Sequence, residues 1–150
     1  MQIITGKEES TNDSKINAVI EFYRAFNEAD IQLMQDNWSN FDTASMSNPL
    51  GGVKRGWDEV KSVYNNIFNG PAKVYVEYYD FQITSSDQMF VIVGRERGNF
   101  EVEDTLIQLK IRTSRVFQLI NGQWKQVHHH GSIEDPKLLD NYQKAVLGNH

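Results

Sequence analysis

The chain has no cysteine among its 150 residues. Disulfides and thiolate metal sites are therefore excluded. It also lacks any run of about eighteen apolar residues, so no segment reads as a membrane span. Basic residues are outnumbered, 15 Lys and Arg against 20 Asp and Glu, for a formal charge of -5. A nucleic-acid binder needs a basic face, and this balance argues against one. The first residues, "MQIITGKEESTNDSK", have neither the basic start nor the apolar stretch of a signal peptide, which leaves the cytoplasm as the expected location. What is present is 39% hydrophobic and 11% aromatic residues, enough for one packed core at this length.

Residues 1–11 read as a loose leader and 12–147 as a single domain. Thr11, Asn12 and Asp13 are capping types, and Ile16, Val19, Ile20, Tyr23 and Phe26 follow at helical spacing. A second short helix is expected from Ile31 to Trp38, and a short strand in "TASMSNPLGG". "GWDEVKSVYNNIFNG" predicts another amphipathic helix, stopped by Gly70-Pro71. The period then changes to two. "AKVYVEYYDFQI", "QMFVIVGRERG", "TLIQLKIRTSRVFQLI" and "QWKQVHHHG" predict four long strands, with "TSSD", "GNFEVED" and "NG" as the connections. "DPKLLDNYQKAVLG" predicts a C-terminal helix with Pro136 near its start. Helices followed by an antiparallel meander imply an α+β fold, a cone-shaped curved sheet packed on about three helices around a central pocket.

One strand carries an anomaly. Leu109, Ile111, Thr113, Arg115, Phe117 and Leu119 share a face, and that face is apolar enough to be the inner one. Arg115 must then point inward. Met89, Val91 and Val93 lead by the same parity to Arg95, which is expected to do likewise. A buried cation needs a partner. The partner is either protein, such as the helix carboxylate of Glu21 or loop carbonyls, or an anionic or carbonyl-bearing ligand.

The segment "TSRVFQLINGQWKQVHHHGS" resembles part of the association domain of calcium/calmodulin-dependent protein kinase II. Arg115, Val116, Gly122, Trp124, Val127, His128, His130 and Ser132 carry the likeness, as do Thr43, Ala44, Leu50, Gly51, Gly56 and Asp58 upstream. The chain over residues 13–133 thus resembles the nuclear transport factor 2-like superfamily. That group also holds ketosteroid isomerases, SnoaL-type cyclases and scytalone dehydratases. The resemblance implies a cystatin-like roll, a pocket and an oligomerising outer sheet face.

Set against the ketosteroid isomerases, the resemblance places Asn48 of "NPLG" where their carboxylate base stands, Phe22 at their tyrosine and Arg115 at their oxyanion acid. An amide cannot take up that proton at neutral pH, so ketosteroid isomerisation is not expected. Tyr23, beside Phe22, is expected to point elsewhere on its helix.

The run His128, His129, His130 cannot form a metal site alone, because one ring of three always faces away on a strand. His128 and His130 make half a site, and zinc asks for about four ligands. No metal and no cofactor are expected. The resemblance turns Val127 and His129 toward the cavity and His128 and His130 outward. His129 is then either a proton-transfer group or the partner of a buried polar neighbour.

The expected pocket comprises Phe22, Phe26, Trp38, Met46, Asn48, Tyr64, Arg95, Arg115 and His129. Arg115 and His129 are its candidate catalytic groups. The expected function is small-molecule binding, with cofactor-free isomerase, cyclase or dehydratase chemistry on a small carbonyl or anionic ligand. The alternative is a non-catalytic association module. A homodimer through the convex sheet face is expected in either case.

Overall fold

A computed structural model describes residues 1–147. Asp13 caps α1 (Ser14–Asn27), its carboxylate accepting from the amides of Lys15 and Ile16. Asp30 does the same at Leu33 for α2 (Ile31–Asn37). α3 (Gly56–Phe68) carries Asp58 and Glu59 in its first turn, where the helix dipole favours them. Glu59 also reaches back to the Arg55 amide at 3.0 Å. Asp135 caps α4 (Pro136–Leu147).

The strands are β1 (Ile3–Ile4), β2 (Ser45–Ser47), β3 (Lys54–Arg55), β4 (Lys73–Ser85), β5 (Met89–Val102), β6 (Thr105–Ile120) and β7 (Gln123–Ser132). They form a sheet in the order β1-β4-β5-β6-β7-β2-β3. Neighbours run antiparallel except β2 on β7, which is parallel, so the sheet is mixed. Its inner face packs on the helices around Phe22, Tyr23, Trp38, Tyr78, Phe90 and Phe117. The α+β architecture expected from the pattern is the one observed.

Three expectations need correction. Residues 1–11 are not loose: Ile3 and Ile4 pair with Tyr79 and Tyr78, and Ile4 is fully buried. Arg24 holds the following turn, donating to the carbonyls of Gly6 and Glu8 at 2.9 Å each. The connection "GNFEVED" is mostly strand, with only Glu103 and Asp104 left outside β5 and β6. And β5 is turned over. Phe90 and Ile92 face the core, while Met89 and Val93 are 41% and 51% exposed. "MFVIV" is apolar on both parities, so the strand alone does not choose a face. The register chooses: Phe90 lies opposite Phe117 and Ile92 opposite Arg115, and antiparallel partners share a side.

Two bulges bend the sheet around the helices. On β4 the pairing steps from Tyr79–Arg95 to Gln82–Val93, which leaves Asp80 and Phe81 opposite Gly94. On β7 it steps from His128–Val116 to Gln126–Phe117, and Val127 is the extra residue.

Candidate functional site

The turned-over β5 brings Glu96 to the inner face, and this supplies Arg115 with its partner. Arg115 Nη2 donates to Glu96 Oε2 at 2.9 Å, and the residues are 2% and 5% exposed. The partner is thus a neighbouring strand's carboxylate, and not Glu21 of α1. Tyr23 donates its hydroxyl to the same Glu96 oxygen at 2.5 Å. Tyr23 does not point away: it is fully buried beside Phe22. Arg115 Nη1 donates to Gln126 Oε1 at 2.8 Å, Gln126 donates to Asn37 at 3.2 Å, and Asn37 donates to the Ala18 carbonyl at 2.9 Å. The guanidinium also lies 3.6 Å over the Phe22 ring. Burial pulls the Arg115 pKa down, but Tyr23 and Glu96 outweigh it, and the group stays charged.

Gln126 has outward parity with His128 and His130, yet it is fully buried. The bulge at Val127 shifts the phase of the strand, so Gln126 and His129, three residues apart, both turn inward.

Beside this network lies a cavity of about 70 Å³. Phe22, Phe26, Met46, Asn48, Tyr64, Arg115 and His129 line it, together with Glu96, Leu50, Val63 and Tyr142. Two expected members are elsewhere. Trp38 is buried behind the wall, its ring 6.2 Å from that of Tyr64. Arg95 faces outward, its side chain 51% exposed and 3.5 Å from Asp80, because the parity of β5 is reversed.

The Tyr64 hydroxyl and His129 Nδ1 are buried without a hydrogen-bond partner among the described residues. The Trp38 indole N–H and the Arg115 guanidinium approach Tyr64, and the Ser114 backbone approaches His129, but none of them meets hydrogen-bond geometry at the Tyr64 hydroxyl or His129 Nδ1. Burial holds the Tyr64 pKa far above its ordinary range, with Arg115 pulling the other way. Burial and then Arg115 hold His129 well below its own, so its ring is neutral at pH 7. Tyr142, from α4, is pushed up to about 12 by burial and by Glu96. Asn48 uses its oxygen on the Leu50 amide at 2.9 Å, and its amide nitrogen is 3.4 Å from Met46 Sδ. On the outer face, Ser45 Oγ lies 2.7 Å from His128 Nδ1. Among the described residues no group of three or more His, Asp or Glu is placed to hold a metal.

The family model of the SnoaL-like domain matches residues 16–136. The chain belongs to the SnoaL-like domain family. Solved structures with nuclear transport factor 2-like names share its fold. A ketosteroid isomerase-like protein from Erwinia carotovora atroseptica is 18% identical with a TM-score of 0.69, over 84% of this chain and all of that one. A nuclear transport factor 2-like superfamily protein from Salmonella enterica serovar Typhimurium is 20% identical with a TM-score of 0.70, over 77% and 85%. A candidate calcium/calmodulin-dependent protein kinase type II association domain from Thiobacillus denitrificans is 17% identical at 0.70, over 85% and 100%. At these identities the likeness is one of fold. The F-box protein SKIP8 of Arabidopsis thaliana is 26% identical over 143 residues, 91% of this chain. The SnoaL-like chain spans about half of that protein's length, 55%. No helix among the described residues is long and apolar enough to cross a membrane.

Glu96, Gln126 and Tyr142 are among the polar site residues that sequence reasoning missed. A signal existed for Glu96. A two-residue turn at Glu103-Asp104 sets Glu96 opposite Ile111, on the inner side with Arg115. For Gln126 there was none, because a bulge leaves no mark in a polar strand.

Proposed function

We propose that this SnoaL-like chain binds a small molecule in the cavity, with the ligand's polar head among Tyr64, Arg115 and His129. One observation carries the reading. Two buried, unpartnered polar atoms, the Tyr64 hydroxyl and His129 Nδ1, belong to residues that line a single cavity. Buried polar groups nearly always have partners, so such a pair supports a guest molecule in that cavity. Arg115 has five N–H donors, and its protein neighbours take three of them.

The reaction class this set supports is cofactor-free proton transfer beside a carbonyl, as in an isomerase, cyclase or dehydratase. His129 would accept the proton, and Tyr64 and Arg115 would donate hydrogen bonds to the developing oxyanion. Burial weakens His129 as a base, so binding is the primary reading and turnover the secondary one. Thermal-shift and ligand-observed NMR screening of small carbonyl compounds and carboxylates tests it. Hits should weaken in folded Tyr64→Phe and His129→Phe variants. Hits that bind unchanged when Met46→Trp fills the cavity would overturn the assignment.

A second reading rests on the convex face. Exposed Met89 and Val93 flank the cross-strand pair Val91 and Val116, an apolar patch on a sheet face that no helix covers among the described residues. We infer from it a homodimer through this face, an assembly role resembling that of the kinase association domain.

A further inference from the structure

The interior cavity does not end at the ring of Tyr64. It shares Asn48, Leu50, Val63 and Ile67 with a second, outer chamber of about 390 Å³, most of whose lining residues are less buried. That outer chamber is walled by Phe100 and Val102 of β5 and by Ala145 and Val146 of α4. Lys54 at its rim is its charged lining residue among those described. Tyr64, Glu96, Arg115, His129 and Tyr142 line the inner end, while Asn48, Lys54 and Asn66 are the polar residues of the outer chamber. The two chambers together have the dimensions of a small-molecule site, and the inner one alone has room for only about two waters.

The charges at the inner end are balanced. Arg115 and Glu96 are the charged residues lining it among those described, and they are paired with each other at 2.9 Å. An anionic head would enter beside a carboxylate, with the one cation already matched. It would leave a buried negative charge without compensation. A carbonyl or hydroxyl head brings no such charge. It can accept from Tyr64 and from the remaining N–H groups of Arg115, and exchange a hydrogen bond with His129 Nδ1.

Resting on the ligand-binding reading above, we propose that the ligand is an uncharged amphiphile. Its carbonyl or hydroxyl head, a few heavy atoms in size, sits in the inner chamber. Its apolar chain or ring body lies in the outer chamber beneath α4.

The test is a matched panel: six-, eight- and ten-carbon methyl ketones and alcohols, each against the carboxylate of equal length. Binding to the full chain is read at pH 7.5 by calorimetry and ligand-observed NMR. The ketones or alcohols should bind at least ten-fold more tightly than their carboxylates, with affinity rising along the series as the outer chamber fills. Carboxylates that bind equally or more tightly would overturn the uncharged class and leave the pocket reading standing. A panel in which no compound binds at millimolar concentration would overturn both. Val63→Trp, which narrows the passage between the chambers, should abolish the gain with chain length while leaving melting within a few degrees. An unchanged gain would place the chain elsewhere and overturn the outer-chamber assignment.

Discussion

Arg115 of β6 and Glu96 of β5 form a buried ion pair at 2.9 Å, to which Tyr23 of α1 adds its hydroxyl. The pair ties the two central strands to the first helix. It also sets the electrostatics of the cavity, because a cation that would otherwise seek an anionic ligand is already neutralised. Removing one partner strands the other. Arg115→Met should therefore cost ~3–5 kcal/mol of stability in urea denaturation. The double variant Arg115→Met, Glu96→Leu should recover most of that loss. A stable single variant would show that Glu96 does not depend on Arg115.

The acid limb of stability should carry a contribution from His129. Its folded pKa lies well below its ordinary value through burial and Arg115. The unfolded chain therefore takes up a proton near pH 6.5 that the native state refuses. The stabilisation is complete above that pH and is lost as pH falls toward the depressed native value, at up to ~1.4 kcal/mol per pH unit. His129→Phe should remove this slope between pH 7 and 5. Identical slopes in the two proteins would count against a buried neutral ring.

Gly98 should tolerate no side chain. A Cβ there would lie 1.8 Å from the Tyr75 carbonyl oxygen, a backbone atom of the paired strand. Gly98→Ala should cost about 3 kcal/mol through strand displacement. Gly122, whose position has open space, serves as the comparison, since any loss at Gly122→Ala comes from its positive φ of 79° alone.

Steroid enone isomerisation should be undetectable. Asn48 lines the cavity, but its oxygen accepts from the Leu50 amide and its amide cannot take up a proton. An absorbance assay at high enzyme concentration checks this. Measurable wild-type turnover would mean that a different group is the base.

The apolar patch on the convex face should hold two copies together. Val93→Glu places a charge at its exposed edge and should shift the molecular mass in light scattering from dimer to monomer, with little change in melting temperature. A wild-type protein that is already monomeric at micromolar concentration would end the dimer proposal.

Much of this molecule was legible before its structure. The change from helical spacing to alternation at residue 72 predicted the α+β order. The alternation of β6 predicted that Arg115 faces inward, because a run with apolar residues on one parity has only one face to bury. The family resemblance led to the expectation that Phe22, Asn48 and His129 face a cavity. Other features depend on pairing, which a single strand does not encode. "MFVIV" is apolar on both parities, so its inward residues were chosen by the register against β6, and that choice exchanged Arg95 for Glu96. Gln126 was turned inward by a bulge, a mismatch between two strands that neither shows alone. The sequence by itself determined that a cation is buried here, since period and polarity are local properties of the chain. Only the tertiary structure decided that its partner is Glu96 and that the cavity beside it is electrically balanced, because partners are set by the packing of strands distant in sequence.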